Sequence, residues 1–158
     1  AKAADVITYV EHGVCDLGVV GKDTILETVL SFYELLDLGF GKCRFALATK
    51  KDSDFYGGYK TKTIASKYPN VTRAFFDDKN MDVRIIKIEG SVELAPLVGL
   101  ADGIVDIVET GSTLKANGLE VIEWVCDISA RLIANTASLK LRKAEIEELQ
   151  KKLEAVTK

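Results

Sequence analysis

Histidine is nearly missing from this chain: among 158 residues there is one, His12. A catalytic triad built on imidazole, or a zinc site of several histidines, has little to work with. His12 stands beside Gly13 at the end of a helical pattern, a place for a cap or a surface residue. Proline is scarce, with two residues, and no segment is of low complexity, which argues against long disordered stretches. An excess of positive charge is also lacking. The formal net charge is −3, which excludes a nucleic-acid binder that works by neutralising phosphates. No apolar run approaches the roughly 18 residues of a membrane span, and the first residues carry no basic, apolar, small-residue leader pattern. Cysteine is limited to Cys15, Cys43 and Cys126, odd in number and far apart. They form no CxxC pair, so a reduced, cytoplasmic protein with its cysteines buried as packing is expected.

What remains is an ordinary soluble composition, 47% hydrophobic and 28% charged, long enough for one substantial core or two small lobes. Residues 4–12 have helical spacing, with Val6, Tyr9 and Val10 on one face and Asp5 as a possible cap. Residues 15–21 form a short apolar strand ending on glycine. Residues 22–30 read as helix, 32–40 as extended, 44–49 as a buried strand and 51–62 as a polar loop. A strand at 63–67, a helix at 71–78 and an alternating strand at 83–88 follow. Ser91 can cap a helix through Leu100, with Glu93 in its first turn. Two apolar strands with a kink near Asp127 span 119–133. The tail, 139–158, reads as one helix with Ile146, Leu149, Leu153 and Val156 on one face, docked on its own domain or meeting a partner. Short strands alternating with helices predict an α/β fold, with ligands outside the carboxyl ends of strands where glycine turns lead on. Two such ends stand out, at 16–21 and 106–113.

The second of these carries the most chemistry. Asp106 and Glu109 close an apolar strand, and Thr110, Gly111, Ser112 and Thr113 follow at once. Backbone N–H groups of such a turn can form an anion-binding nest, and its hydroxyls can add donors. The two acids can reach sugar hydroxyls. A ribose-5-phosphate needs that combination, although a capped strand-to-helix turn uses the same residue types. In the other end, the glycines of 16–21 permit close approach of a ligand to the backbone or form a plain turn.

The segment DGIVDIVETGSTLKANGL (102–119) closely resembles the phosphoribosyl pyrophosphate loop of the ATP phosphoribosyltransferases, which begin histidine biosynthesis. Three more segments resemble that family in the same order: ADVITYVEHGVCDLGVVGKD (4–23), IASKYPNVTRAFF (64–76) and IIKIEGSVELAPLVGLAD (85–102). The resemblance implies two α/β lobes of the periplasmic-binding-protein type II fold with the active site in a cleft. Residues 1–41 and 138–158 would make the first lobe, and 42–137 the second. Thr110, Gly111, Ser112 and Thr113 would hold the donor's 5′-phosphate. Asp106 and Glu109 would face the ribose, although the family more often has a small hydroxyl residue at Glu109. Glu93 would order the donor or its magnesium, the one cofactor implied. Asp16, Gly18 and Gly21 would line the side of ATP or pyrophosphate, and Lys67 could bind phosphate there. N1 of adenine would attack the anomeric carbon and pyrophosphate would leave, with no covalent nucleophile.

The family opens with a strand and a Lys-Gly-Arg-type turn that have no counterpart in these residues. The first lobe is therefore expected to lack its opening strand here. The sequence stops after one helix where long members carry an ACT-like regulatory domain. That implies the short form, a homodimer assembled with a regulatory subunit resembling histidyl-tRNA synthetase. Two other readings stay open on sequence: a non-catalytic ligand-binding module of the same bilobed fold, and a salvage-type phosphoribosyltransferase.

Overall fold

The computed structural model describes residues 1–157, in two compact units. The chain opens with α1 (Ala3–Glu11), β1 (Leu17–Gly21), α2 (Lys22–Glu27) and β2 (Tyr33–Asp37). It continues with β3 (Cys43–Lys50), β4 (Lys62–Ser66), α3 (Pro69–Asp78), β5 (Val83–Lys87), α4 (Leu94–Leu97), β6 (Gly103–Val108), α5 (Ser112–Ala116) and β7 (Leu119–Ile128). The last elements are β8 (Ala130–Ala134), α6 (Thr136–Leu141) and α7 (Lys143–Thr157). One unit holds residues up to Lys42 and from Ile128 on; the other is Cys43–Asp127.

The first unit is built on a three-stranded sheet in the order β1-β8-β2, with both pairings antiparallel. Ile7 and Val10 of α1 are buried against Val20 and Ile133. Gly18 lets that helix sit close: a methyl group there would come within 2.8 Å of Val6 and 2.9 Å of Val10. Across the sheet, Arg131 pairs with Glu34 at 2.9 Å and with Asp37 at 3.3 Å, and Lys22 also reaches Glu34. Sequence alone placed residues 128–137 with the second lobe. Here β8 pairs with β1 and β2 instead, so the chain re-enters the first unit at Ile128, ten residues earlier than expected. The expected kink falls at Ser129, between two strands that belong to different sheets.

The tail also departs from one continuous helix. Asn135 caps α6, its side chain accepting from the N–H groups of Ala137 and Ser138. Arg142 then leaves helical geometry at φ −120°. Its guanidinium is pulled to Asp16 at 2.8 Å, and Ser138 Oγ donates to the same carboxylate at 2.6 Å. This tertiary tie overrides the helical pattern of the sequence. On α7 only Ile146 is fully buried, while Val156 stays 77% exposed.

The second unit has a five-stranded sheet in the order β5-β4-β6-β3-β7. Strands β5, β4 and β6 are parallel, and β3 runs antiparallel to β6. Strand β3 has near-continuous burial from Phe45 to Thr49, as a strand covered on both faces should. Ile104 and Val108 of β6 pack with Ala46, Ala48, Ala65, Val92, Ala95 and Leu114. The helix expected from Ser91 to Leu100 shrinks to the four residues of α4, with Glu93 at its cap and Pro96 inside it. Proline has no N–H for a continuing helical ladder. The cysteines are not core packing: Cys15 is exposed and Cys43 and Cys126 are half-buried.

Candidate active site

The carboxyl ends of β4 and β6 lie side by side because the strands are parallel and paired, with Ser66 opposite Val105. One residue further on, the chain reaches Lys67 on one strand and Asp106 on the other. From Asp106 the backbone runs through Ile107 and Val108 to the turn at Thr110 and Gly111. Gly111 has φ +77°, a left-handed conformation that glycine adopts without cost, and it caps α5. Thr110 Oγ1 and Ser112 Oγ lie 2.9 Å apart, and the Ser112 N–H points back at Thr110 Oγ1 at 3.4 Å. The first N–H groups of α5 have no helical carbonyl to bond. Together with the hydroxyls of Thr110, Ser112 and Thr113 they form a dense patch of donors.

A cavity of about 400 Å³ opens on this patch, lined by Glu93, Asp106, Glu109 and residues 110–113. Six of the expected loop and sugar residues, together with Glu93, therefore meet in one place although Glu93 is thirteen or more positions away in sequence. Asp106 is partly buried there, and this burial raises its carboxyl above the ordinary range. The hydrogen bond from the Ile107 backbone and the positive charge of Lys67 pull it back down, whereas Glu93 raises it further. Lys67 was expected on the side of ATP. It lies within electrostatic reach of Asp106 and of Glu89.

The other candidates belong to the first unit, and each has structural work there. Both oxygens of Asp16 are engaged, one by Ser138 and one by Arg142. The Ser138 bond holds its carboxyl below the usual range, and burial opposes it. Gly18 accommodates α1. A methyl at Gly21 would collide with the carboxylate of Asp23. A hollow of about 460 Å³ lined by Cys15, Asp16, Leu17 and residues of α7 lies beside Asp16. His12 is a helix-end residue with its ring largely exposed.

Sequence reasoning missed Ser66, Arg44 and Trp124. Ser66 is fully buried and bonds across to β6. The Arg44 guanidinium stacks 3.5 Å from the centre of the Trp124 ring. Both line a second hollow, of about 380 Å³, that shares Glu109, Thr110 and Gly111 with the first. No local pattern signals contacts between residues 39 or 80 positions apart; a serine directly after the apolar pair Ile64 and Ala65 was the only cue.

The family model for HisG, ATP phosphoribosyltransferase, matches residues 2–155. The chain belongs to the ATP phosphoribosyltransferase family. A Clostridium kluyveri ATP phosphoribosyltransferase is 64% identical over 153 residues, covering 97% of this chain and 70% of the relative. The Clostridium acetobutylicum enzyme is 59% identical over 152 residues, covering 96% of this chain and 71% of the relative. Among solved structures, the ATP phosphoribosyl transferase (HisG:HisZ) complex from Thermotoga maritima superposes with a TM-score of 0.86 at 38% identity, over 99% of this chain and 77% of that one. The periplasmic VFT2 domain of Bordetella pertussis BvgS matches with a TM-score of 0.54 at 16% identity, over 97% of this chain and 70% of that one. The fold of this phosphoribosyltransferase-family chain is thus the two-lobed, periplasmic-binding-protein-like type II α/β fold. The extent of the family match, from residue 2 to residue 155, leaves neither the non-catalytic module nor the salvage-type enzyme favoured.

Proposed function

We propose that this chain transfers the 5-phosphoribosyl group of phosphoribosyl pyrophosphate to N1 of the adenine of ATP, releasing pyrophosphate, as the first step of histidine biosynthesis. The observation that carries the assignment to a site is the cavity at the end of β6, where a glycine-turned donor patch faces the carboxylates of Glu93, Asp106 and Glu109. Backbone N–H groups and hydroxyls of residues 110–113 hold the 5′-phosphate without a cation. Asp106 accepts from the ribose hydroxyls, and Glu109 stands beside it. Lys67 offsets negative charge at this end of the sheet. The bond from N1 to the anomeric carbon forms as the bond to the pyrophosphate oxygen breaks, and both electrons of that bond leave with pyrophosphate. The protein's part is to orient the two reactants and to hold the phosphate end fixed.

Magnesium fits this donor set as a passenger of the substrate. Among the described residues no three His, Cys, Asp or Glu side chains form a metal-binding cluster. Glu93, in the lining of the cavity, would supply one hard oxygen ligand, which suits an ion that keeps its waters and the substrate's phosphates as its other ligands. When bound, it would offset the charge that develops on pyrophosphate. ATP is assigned to the first unit through residues 16–21. Asp16 is held by Ser138 and Arg142, so the outer backbone edge of β1, rather than that carboxylate, is left to meet the nucleotide.

The Thermotoga maritima relative is a HisG:HisZ complex, which supports assembly of this chain with a HisZ-like subunit; a homodimer of this chain, and a regulatory subunit resembling histidyl-tRNA synthetase, follow from the family resemblance. Three cysteines outside any disulfide suit the cytoplasm, and among the described residues no helix is long and apolar enough to cross a membrane. The test is direct. The chain is mixed with ATP, phosphoribosyl pyrophosphate and magnesium, and pyrophosphatase is added to draw the reaction forward. Phosphoribosyl-ATP is expected, both alone and with a HisZ-like subunit. Transfer to hypoxanthine or orotate instead, or donor binding with no product in either setting, would refute the proposal.

A further inference from the structure

We infer that Ser66 is a positioning residue for the donor site: its hydroxyl locks the ends of β4 and β6 together and so fixes Lys67 beside Asp106. The inference rests on the donor-site reading above. Ser66 is fully buried and stands in the central strand of three parallel ones. Its Oγ donates to the Val105 carbonyl on β6 at 2.6 Å. The same Oγ accepts from the Tyr68 N–H at 2.9 Å. Its own carbonyl accepts from Ile88 N–H at 3.0 Å, past the end of β5. One side chain therefore joins the last residue of β4, the residue before Asp106, and the turn that starts α3.

Lys67 lies between these fixed points. Behind it, the Tyr68 ring packs edge-on against the buried Phe45 at 4.8 Å, and Thr72 Oγ1 donates to the Tyr68 carbonyl at 2.8 Å. In front of it, Asp106 follows Val105 directly. Parallel strands sit roughly 4.8 Å apart, so a tie across them at this last ladder position sets how the next residues diverge. Strand pairing at the far end is already secured by Asp102, whose carboxylate accepts from Thr63 N–H at 2.8 Å. The Ser66 hydroxyl is needed at the site end, where the ladder stops and two charges must be held in register. Lys67 and Glu93 are the charged groups that act on Asp106.

A double-mutant cycle on the purified chain tests this, with binding of magnesium–phosphoribosyl pyrophosphate measured by calorimetry. Ser66→Ala is expected to weaken donor binding about tenfold, the effect of letting the Lys67 charge drift away from the anionic donor. In a Lys67→Met background the same change is expected to have little further effect, because the residue it positions is gone. Ser66→Thr, which keeps the hydroxyl, should restore binding. Equal losses in the two backgrounds, or no rescue by Ser66→Thr, would overturn the positioning role while leaving the donor site standing. If the parent chain itself binds no donor, the site reading fails and the inference fails with it.

Discussion

Gly111 and Gly118 flank α5 with nearly the same backbone, φ +77° and +67°, but only Gly111 lines the donor cavity. Alanine at either position meets little: Val108 Cγ1 at 3.8 Å for Gly111, and nothing within 4 Å for Gly118. The cost of substitution is therefore conformational. Holding a residue with a Cβ in the left-handed region costs roughly 1–2 kcal/mol, and a stiffer unfolded chain returns about 0.4–1 kcal/mol of this. Each substitution should destabilise by about 1 kcal/mol, or about 2–4 °C in Tm for a chain of this length. Gly111→Ala and Gly118→Ala should thus melt alike by circular dichroism. They should differ in calorimetric titration with phosphoribosyl pyrophosphate. In Gly111→Ala the strained turn carries its N–H groups off the phosphate, and about tenfold of the affinity goes with one charge-assisted hydrogen bond. Gly118→Ala should bind as the parent does. Gly111→Asn should recover much of both losses, because asparagine tolerates this conformation. Equal affinity in the two alanine variants, or a rise in Tm for Gly111→Ala, would refute the reasoning.

Asp106 should trade stability for binding. Burial raises its folded-state carboxyl above the unfolded one, so ionisation at neutral pH works against the fold. That penalty is full above the folded pKa and is relieved as pH falls through it toward the unfolded value. Asp106→Asn should therefore raise Tm at neutral pH, with the gain shrinking on acidification, while donor binding weakens at least tenfold by calorimetry. An unchanged or lower Tm at neutral pH would contradict the burial argument. Gly18→Ala should destabilise the chain by about 1–3 kcal/mol in urea unfolding, because its methyl lands on Val6 and Val10 in a packed interface; a neutral result would show that α1 can shift away freely.

The donor loop was legible in sequence because everything it needs is contiguous. An apolar strand, two acids, a glycine and three hydroxyl residues are all local signals, and parallel pairing brought Glu93 to them. The resemblance of four segments added order and fold. What escaped was set by tertiary contact. Residues 130–134 look the same in sequence whether they extend one sheet or join the other, and only pairing with Leu17–Gly21 and Tyr33–Asp37 decides it. The break at Arg142 depends on Asp16, some 126 positions away in the chain. Asp16 looked like a ligand group because it precedes a glycine-rich strand end, and its partners Ser138 and Arg142 leave no mark near it. Ser66 was hidden for the same reason: its value lies in the Val105 carbonyl, 39 residues on.

The central claim is that residues 110–113 hold the donor's 5′-phosphate. Amide chemical-shift mapping tests it most directly, with labelled chain titrated with magnesium–phosphoribosyl pyrophosphate and, separately, with ribose-5-phosphate. The amides of Gly111, Ser112 and Thr113 should move most, with both ligands. Largest shifts elsewhere, with these three amides unmoved at saturation, would contradict it.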